Sequence, residues 1–185
     1  SGYSAYAKRE RLAEAGSIEA YVEQLDERNP TFSISKHEIR NIDSLDHILE
    51  EQYEVTIDQF DGTSFDKLFY NPNFLNHIST NPFNLNERTY PVDMGATTET
   101  RVSMVLTLPG NFVLAEPAKD LGVALPDNGG RYQTFTKLEE GVLSFSSLFQ
   151  LNKPVYEPEL YPSLKEFYSK IIQQQKLDLI LQKSK

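Results

Sequence analysis

Three histidines, His37, His47 and His77, are the side chains of this 185-residue chain best suited to carry a proton or a metal near neutral pH. None has a partner at ligand spacing. "HEIR" at 37–40 lacks the second histidine that a helical zinc motif places one turn on. All three therefore read as hydrogen-bonded or solvated structural residues. "DQFDGTSFD" at 58–66 sets three aspartates around Gly62, the composition of a calcium loop. Such a loop needs oxygen ligands at alternate positions before its glycine and a glutamate six residues after it. Gln59, Phe60 and Leu68 break that pattern, so Asp61-Gly62 reads as a hairpin turn.

Nucleophilic and phosphate chemistry find no purchase either. Cysteine is absent, which removes thiolate nucleophiles, thiolate metal sites and disulfides within the chain. G-x-S-x-G elbows and the two glycine-rich phosphate loops are also absent. Glu87 with Asp93, and Glu139 with Glu140, are candidate carboxylate pairs, but among 27 acidic residues such pairs arise by chance. Glycosidic chemistry also needs a fixed separation across a cleft, which sequence spacing does not supply. No catalytic, cofactor-binding or metal-ligating residue is assigned, and no cofactor is expected.

The densest unusual stretch is "NPFNLNERTYPVDMG" at 81–95. Pro82 and Pro91 pre-set extended backbone and each removes an amide donor. Arg88 and Asp93 flank the Tyr90-Pro91 corner, where pairing would pin the chain; the other reading turns them toward a partner domain. Tyr3, Tyr6, Tyr132, Tyr156 and Tyr161 are taken as exposed, and together they would suit a sugar-stacking platform.

The elements that must carry these residues show in the periodicity. Ile18, Tyr21, Val22 and Leu25 make one helical stripe, preceded by a kink or second N-cap at Gly16-Ser17 and ended by Asn29-Pro30. Period-two alternation then predicts strands at 53–57, 65–70, 102–108, 112–115, 131–138 and 143–151, with a weaker one at 32–42. Asp61-Gly62, Pro109-Gly110, Asp127–Gly130 and Glu140-Gly141 supply turns. From Pro158 the period is helical again, with Leu160, Leu164, Phe167, Tyr168, Ile171 and Ile172 on one face. "LDLILQ" at 177–182 suits either a continued helix or an edge strand. The expected fold is mainly β with α, an antiparallel β-sandwich of about seven strands between an N-terminal and a C-terminal helix. Residues 1–30 would form the helical segment and 31–185 the β domain. A connection of about 25 residues, 71–97, holds the opening motif and is packed down by Phe74, Leu75, Ile78 and Phe83.

The net charge of −9 and a pI near 4.9 disfavour nucleic acid and anionic membranes as partners. No apolar run approaches the roughly 20 residues of a membrane span. The start at Ser1-Gly2, without Met, suggests a processed or cut-down piece.

"NPFNLNERTYPVDMG", "LTLPGNF", "ALPDNGG" and "YPSLKEFYSKII", in that order, resemble the C-terminal region of bacterial multidomain transglutaminase-like proteins. "GYSAYAKRERL" at 2–12 is similar to the helix leaving their papain-like core. The resemblance implies an uncharacterised β-rich domain that follows a core holding the catalytic Cys, His and Asp. Pro82, Phe83, Arg88, Tyr90, Pro91, Val92 and Asp93 match its signature, and none carries an assigned role there. It also implies export to the periplasm or cell envelope. The expected partner is the adjacent core, with a protein or glycan substrate, and the expected role is a non-catalytic accessory domain. The alternative is a carbohydrate- or peptide-binding module acting on its own.

Overall fold

A computed structural model describes residues 2–28, 32–57, 66–73, 77–108 and 112–184. The chain falls into two compact units, 1–63 and 64–185. It is mainly β with α, and every strand pairing among the described residues is antiparallel.

In the N-terminal unit, α1 (Tyr3–Ala15) and α2 (Ile18–Glu27) are separate helices. Gly16 caps the first in the left-handed region, and the Ser17 Oγ accepts the Ala20 N–H at 3.1 Å to start the second. The stripe predicted on α2 packs against the hairpin of β1 (Ser33–Arg40) and β2 (Glu50–Thr56). Tyr21 and Val22 are buried with Leu12, and Ile18, Leu25, Ile34, Ile39, Ile42 and Tyr53 close around them. The two helices and this hairpin thus fall within one compact unit, 1–63. The hairpin is the surface that buries the helix.

The C-terminal unit is larger. Its main sheet has the order β5-β9-β8-β7, formed by β5 (Thr98–Thr107), β9 (Val142–Leu151), β8 (Gly130–Glu139) and β7 (Gly122–Leu125). Glu140 and Gly141, at φ +48° and +78°, make the tight turn of the β8–β9 hairpin. A three-stranded sheet sets β11 (Leu179–Lys183) between β3 (Lys67–Tyr70) and β6 (Phe112–Leu114). The ambiguous "LDLILQ" thus resolves as a central strand, with Leu181 fully buried. Two-residue strands β4 (Val92–Asp93) and β10 (Val155–Tyr156) pair with each other.

α3 (Tyr161–Gln175) turns Leu164, Phe167, Tyr168 and Ile171 into the core. There they meet Leu125, Tyr132, Phe149 and Leu151 from the main sheet. Each large side chain so buried stabilises the fold by about 1.5–3 kcal/mol.

Eleven strands are present among the described residues, against about seven expected, and they spread over four sheets. The pairing predicted across Asp61-Gly62 is not formed among the described residues. β2 pairs with β1 and β3 with β11, because the two strands belong to different units. The turn itself (58–65), like Pro109-Gly110, Phe74 and Leu75, lies outside the described residues.

Candidate interaction surface on the C-terminal unit

The 81–95 motif is a strap laid on α3 and tied to it by side chains at its start. The Asn81 side-chain Oδ1 accepts the Phe83 N–H at 2.9 Å. Its amide donates to the Lys165 carbonyl at 2.8 Å and the Ser169 hydroxyl at 2.9 Å. The Leu85 N–H donates to the Tyr161 hydroxyl, and Lys165 Nζ donates to the Leu85 carbonyl, both at 2.9 Å. Phe83 is the apolar anchor, edge-on to Tyr161 and Tyr168 with ring centroids 5.7 and 5.1 Å away. At the far end Val92 is buried and pairs with Tyr156, and the Met94 N–H donates to the Pro154 carbonyl at 2.7 Å.

The signature residues divide by exposure. Phe83 and Val92 share one core cluster. Pro82, Arg88, Tyr90, Pro91 and Asp93 face outward. The expected Arg88–Asp93 pair is not formed among the described residues. Asp93 accepts the Gly95 N–H at 2.7 Å, a local turn that takes its carboxylate elsewhere. Between the tied ends the strap presents Leu85, 59% exposed, Tyr90, 76% exposed, and Arg88.

"LPDNGG" is also structural. Pro126–Asn128 form a tight turn with Asp127 and Asn128 at φ +51° and +52°, and the Gly129 carbonyl accepts the Tyr156 hydroxyl at 2.6 Å and the Asn152 N–H at 2.8 Å. A Cβ on Gly130 would stand 2.4 Å from the Gln150 carbonyl oxygen, so only glycine lets β8 and β9 approach there. Burial pushes the Tyr156 phenol above its ordinary range. Asn81, Asn152, Tyr156 and Tyr161 are thus ties that the motif reading missed; their partners lie up to 88 residues away in sequence.

The proposed aromatic platform does not exist as drawn. Tyr132, Tyr156 and Tyr161 are buried, and only Tyr3 and Tyr6 are exposed. Their apolar rings fill the core while two of the hydroxyls serve as ties. The outer face of the main sheet instead carries an open trough of about 570 Å³, lined by Arg101, Ser103, Gln133, Phe135, Ser146 and Leu148. Phe135 is 58% exposed beside it. At one end Arg101 and Gln150 both donate to Glu99, and Arg131 donates to Gln150. The Arg101 contact holds the Glu99 carboxyl below the usual carboxylate range.

In the N-terminal unit one titratable cluster is half-buried. Glu51 accepts the Tyr21 and Tyr53 hydroxyls, at 3.2 and 3.1 Å, and the Lys8 ammonium. Burial first and Glu51 second push the Tyr21 phenol up to about 12. The Tyr53 phenol is raised further by the same causes. Of the histidines, His47 shares a 2.7 Å hydrogen bond with Ser44, and His37 and His77 are exposed. Among the described residues, no three acidic or histidine side chains gather as a metal site.

Residues 66–181 match the model of a family described as "Domain of Unknown Function with solved-structure structure (DUF3858)". The chain belongs to the DUF3858 family. The match falls within the C-terminal unit and contains the strap, the LPDNGG turn and α3. The chain is also similar to a crystal structure titled a putative protease from Parabacteroides distasonis ATCC 8503. The TM-score is 0.45 at 14% identity, covering 54% of this chain and 19% of that one. No curated protein matches the sequence significantly.

Proposed function

We propose that this DUF3858 chain is a non-catalytic accessory domain of a longer transglutaminase-like or cysteine-protease-like protein of the cell envelope. Its role is to support the core or position substrate. The observation that carries the reading is the division of labour within the strap. Asn81, Phe83 and Val92 hold it, while the exposed side chains of Leu85, Arg88 and Tyr90 project from a loop fixed at both ends. A large aromatic, an arginine and an apolar residue on a pre-organised loop are the composition of an interface anchor.

Replacing Leu85 and Tyr90 together by serine and alanine in the full-length protein tests it. Limited proteolysis should cut between this domain and its neighbour faster, while the melting temperature of the isolated chain stays unchanged. Unaltered proteolysis and activity of the full-length variant would remove the proposal.

A second reading, a carbohydrate- or peptide-binding module, draws support from the exposed Phe135 beside the polar trough. Saturable micromolar binding of the wild-type chain on a glycan array, lost in Phe135→Ala, would favour it over the first.

A further inference from the structure

The sequence holds one Asn-Gly pair, Asn128-Gly129, in the turn between β7 and β8. Such a pair is where a chain most easily modifies itself. The Gly129 nitrogen can attack the Asn128 side-chain amide carbon, because glycine brings no Cβ to the approach and lets the backbone rotate freely. The attacking nitrogen gives up its proton, a five-membered ring closes, and the side-chain nitrogen leaves as ammonia. Water then opens this succinimide at either carbonyl. One opening gives aspartate; the other gives isoaspartate, whose main chain is one methylene longer. Water is the sole co-reactant.

The ring closes only if the peptide plane joining the two residues turns about the bond from the Asn128 Cα to its carbonyl carbon. That plane is held at both ends. Its N–H, on Gly129, donates to the Pro126 carbonyl at 2.9 Å, and its carbonyl, on Asn128, accepts the Asn152 Nδ2 at 2.9 Å. The following carbonyl, on Gly129, is fixed by the Tyr156 hydroxyl and the Asn152 N–H. Room is short as well. A Cβ on the buried Gly129 would meet the Pro126 carbonyl oxygen at 3.1 Å, Tyr156 Cε1 at 3.2 Å and Leu125 Cβ at 3.3 Å. Asn128 itself is exposed, so water reaches it and the backbone withholds the reaction. Its φ of +52° is a left-handed position that asparagine accepts more readily than most residues, so the turn itself favours this residue.

We infer that Asn128 is a deamidation site that the native turn keeps closed, that reacts when the turn opens, and whose isoaspartyl product the turn does not take back. That product places an extra main-chain carbon between Leu125 and Gly130, which are register partners. The strand beyond has no slack to absorb it, since a Cβ on Gly130 would lie 2.4 Å from the Gln150 carbonyl oxygen. The modified residue thus marks chains that have unfolded.

Incubation of the 185-residue chain at mildly alkaline pH, folded and in guanidinium chloride, tests this. Tryptic cleavage after Lys119 and Arg131 isolates Asn128 on one peptide, and mass spectrometry with isomer separation reads its conversion. The unfolded chain should convert at least about tenfold faster than the folded one. Asn152→Ala changes an exposed side chain, frees the Asn128 carbonyl, and should speed conversion in the folded chain about threefold. After removal of denaturant, isoaspartyl chains should refold with a lower denaturation midpoint than unmodified chains or Asn128→Asp. Equal rates in the folded and unfolded chains, an Asn152→Ala chain no faster than wild type, or isoaspartyl chains with the wild-type midpoint would each overturn the inference.

Discussion

Residues 1–63 carry 14 acidic side chains against 6 basic, whereas residues 64–185 carry 13 against 12. The same contrast runs inside the two units. The first gathers three buried apolar residues into its described core, and its half-buried carboxylate takes hydrogen bonds from an ammonium and two phenols. It also uses the Arg9 guanidinium to hold the carbonyls of Asn41, Ile42, Ser44 and His47. The second packs eleven buried residues around α3 and ties its long strap with uncharged amides and hydroxyls, apart from Lys165. Both place helices on antiparallel strands. One depends on ionisation and salt, the other on apolar area.

The largest expected effect lies in the apolar unit. Phe167, 2% exposed, touches Phe149 and Tyr168 at ring-centroid distances of 6.2 and 5.9 Å. Phe167→Ala should cost about 3–5 kcal/mol in chemical denaturation. Salt should leave that loss unchanged. A salt-dependent loss would break the contrast.

Glu51→Gln comes next. It keeps the shape but removes the charge that Lys8, Tyr21 and Tyr53 were arranged around, at a cost of about 1–3 kcal/mol. Amide exchange should rise in α1, α2 and the β1–β2 hairpin, with α3 unaffected. Equal loss of protection in both units would show that the knot is not local.

Alkaline titration separates the units without changing their sequence. Tyr21 holds its proton up to about 12, against roughly 10 for an unfolded tyrosine. A raised folded value means the stabilisation is complete below pH 10 and is lost as pH rises toward 12. Tyr168 is raised to about 12 as well, by burial first and the Tyr156 charge second. In Glu51→Gln the Tyr21 midpoint should therefore fall while that of Tyr168 stays. Ultraviolet difference titration, assigned with Tyr21→Phe and Tyr168→Phe, reads both.

What the sequence disclosed follows the range of the forces involved. Local signals were plain: the break at Gly16-Ser17, the Glu140-Gly141 turn, and the stripes of α2 and α3 are read over a few neighbouring residues. Partnership was not. Tyr53–Ile57 and Phe65–Tyr70 looked like a hairpin because they are adjacent in sequence, yet each strand pairs elsewhere. "LDLILQ" could not be assigned because its strand partners are Lys67–Tyr70 and Phe112–Leu114. At the strap, Pro82 and Pro91 announced extended chain, and Phe83 its anchor. The Asn81 and Tyr161 ties stayed hidden, since a polar side chain's partner is invisible to periodicity. Tyrosines were misjudged for the same reason: a hydroxyl suggests exposure until a carbonyl such as that of Gly129 is found to meet it.

The smallest effect sharpens the contrast within the N-terminal unit itself. Lys36 and Glu54 are register partners on β1 and β2, with the ammonium 2.7 Å from the carboxylate. Their side chains are 75% and 61% exposed, so water and salt screen the pair, and holding two long side chains costs entropy. Lys36→Ala should shift stability by less than about 0.5 kcal/mol, and 1 M salt, with its screening length near 3 Å, should erase even that. Lys8 is the control. It makes the same kind of contact, but Glu51 is only 12% exposed, and Lys8→Met leaves that carboxylate with two phenols and without its ion-pair partner. That change should cost at least about 1 kcal/mol and keep most of it in salt. If the two lysine variants behave alike, Glu51 is better solvated than its neighbours imply, and the unit is held by its small apolar cluster after all.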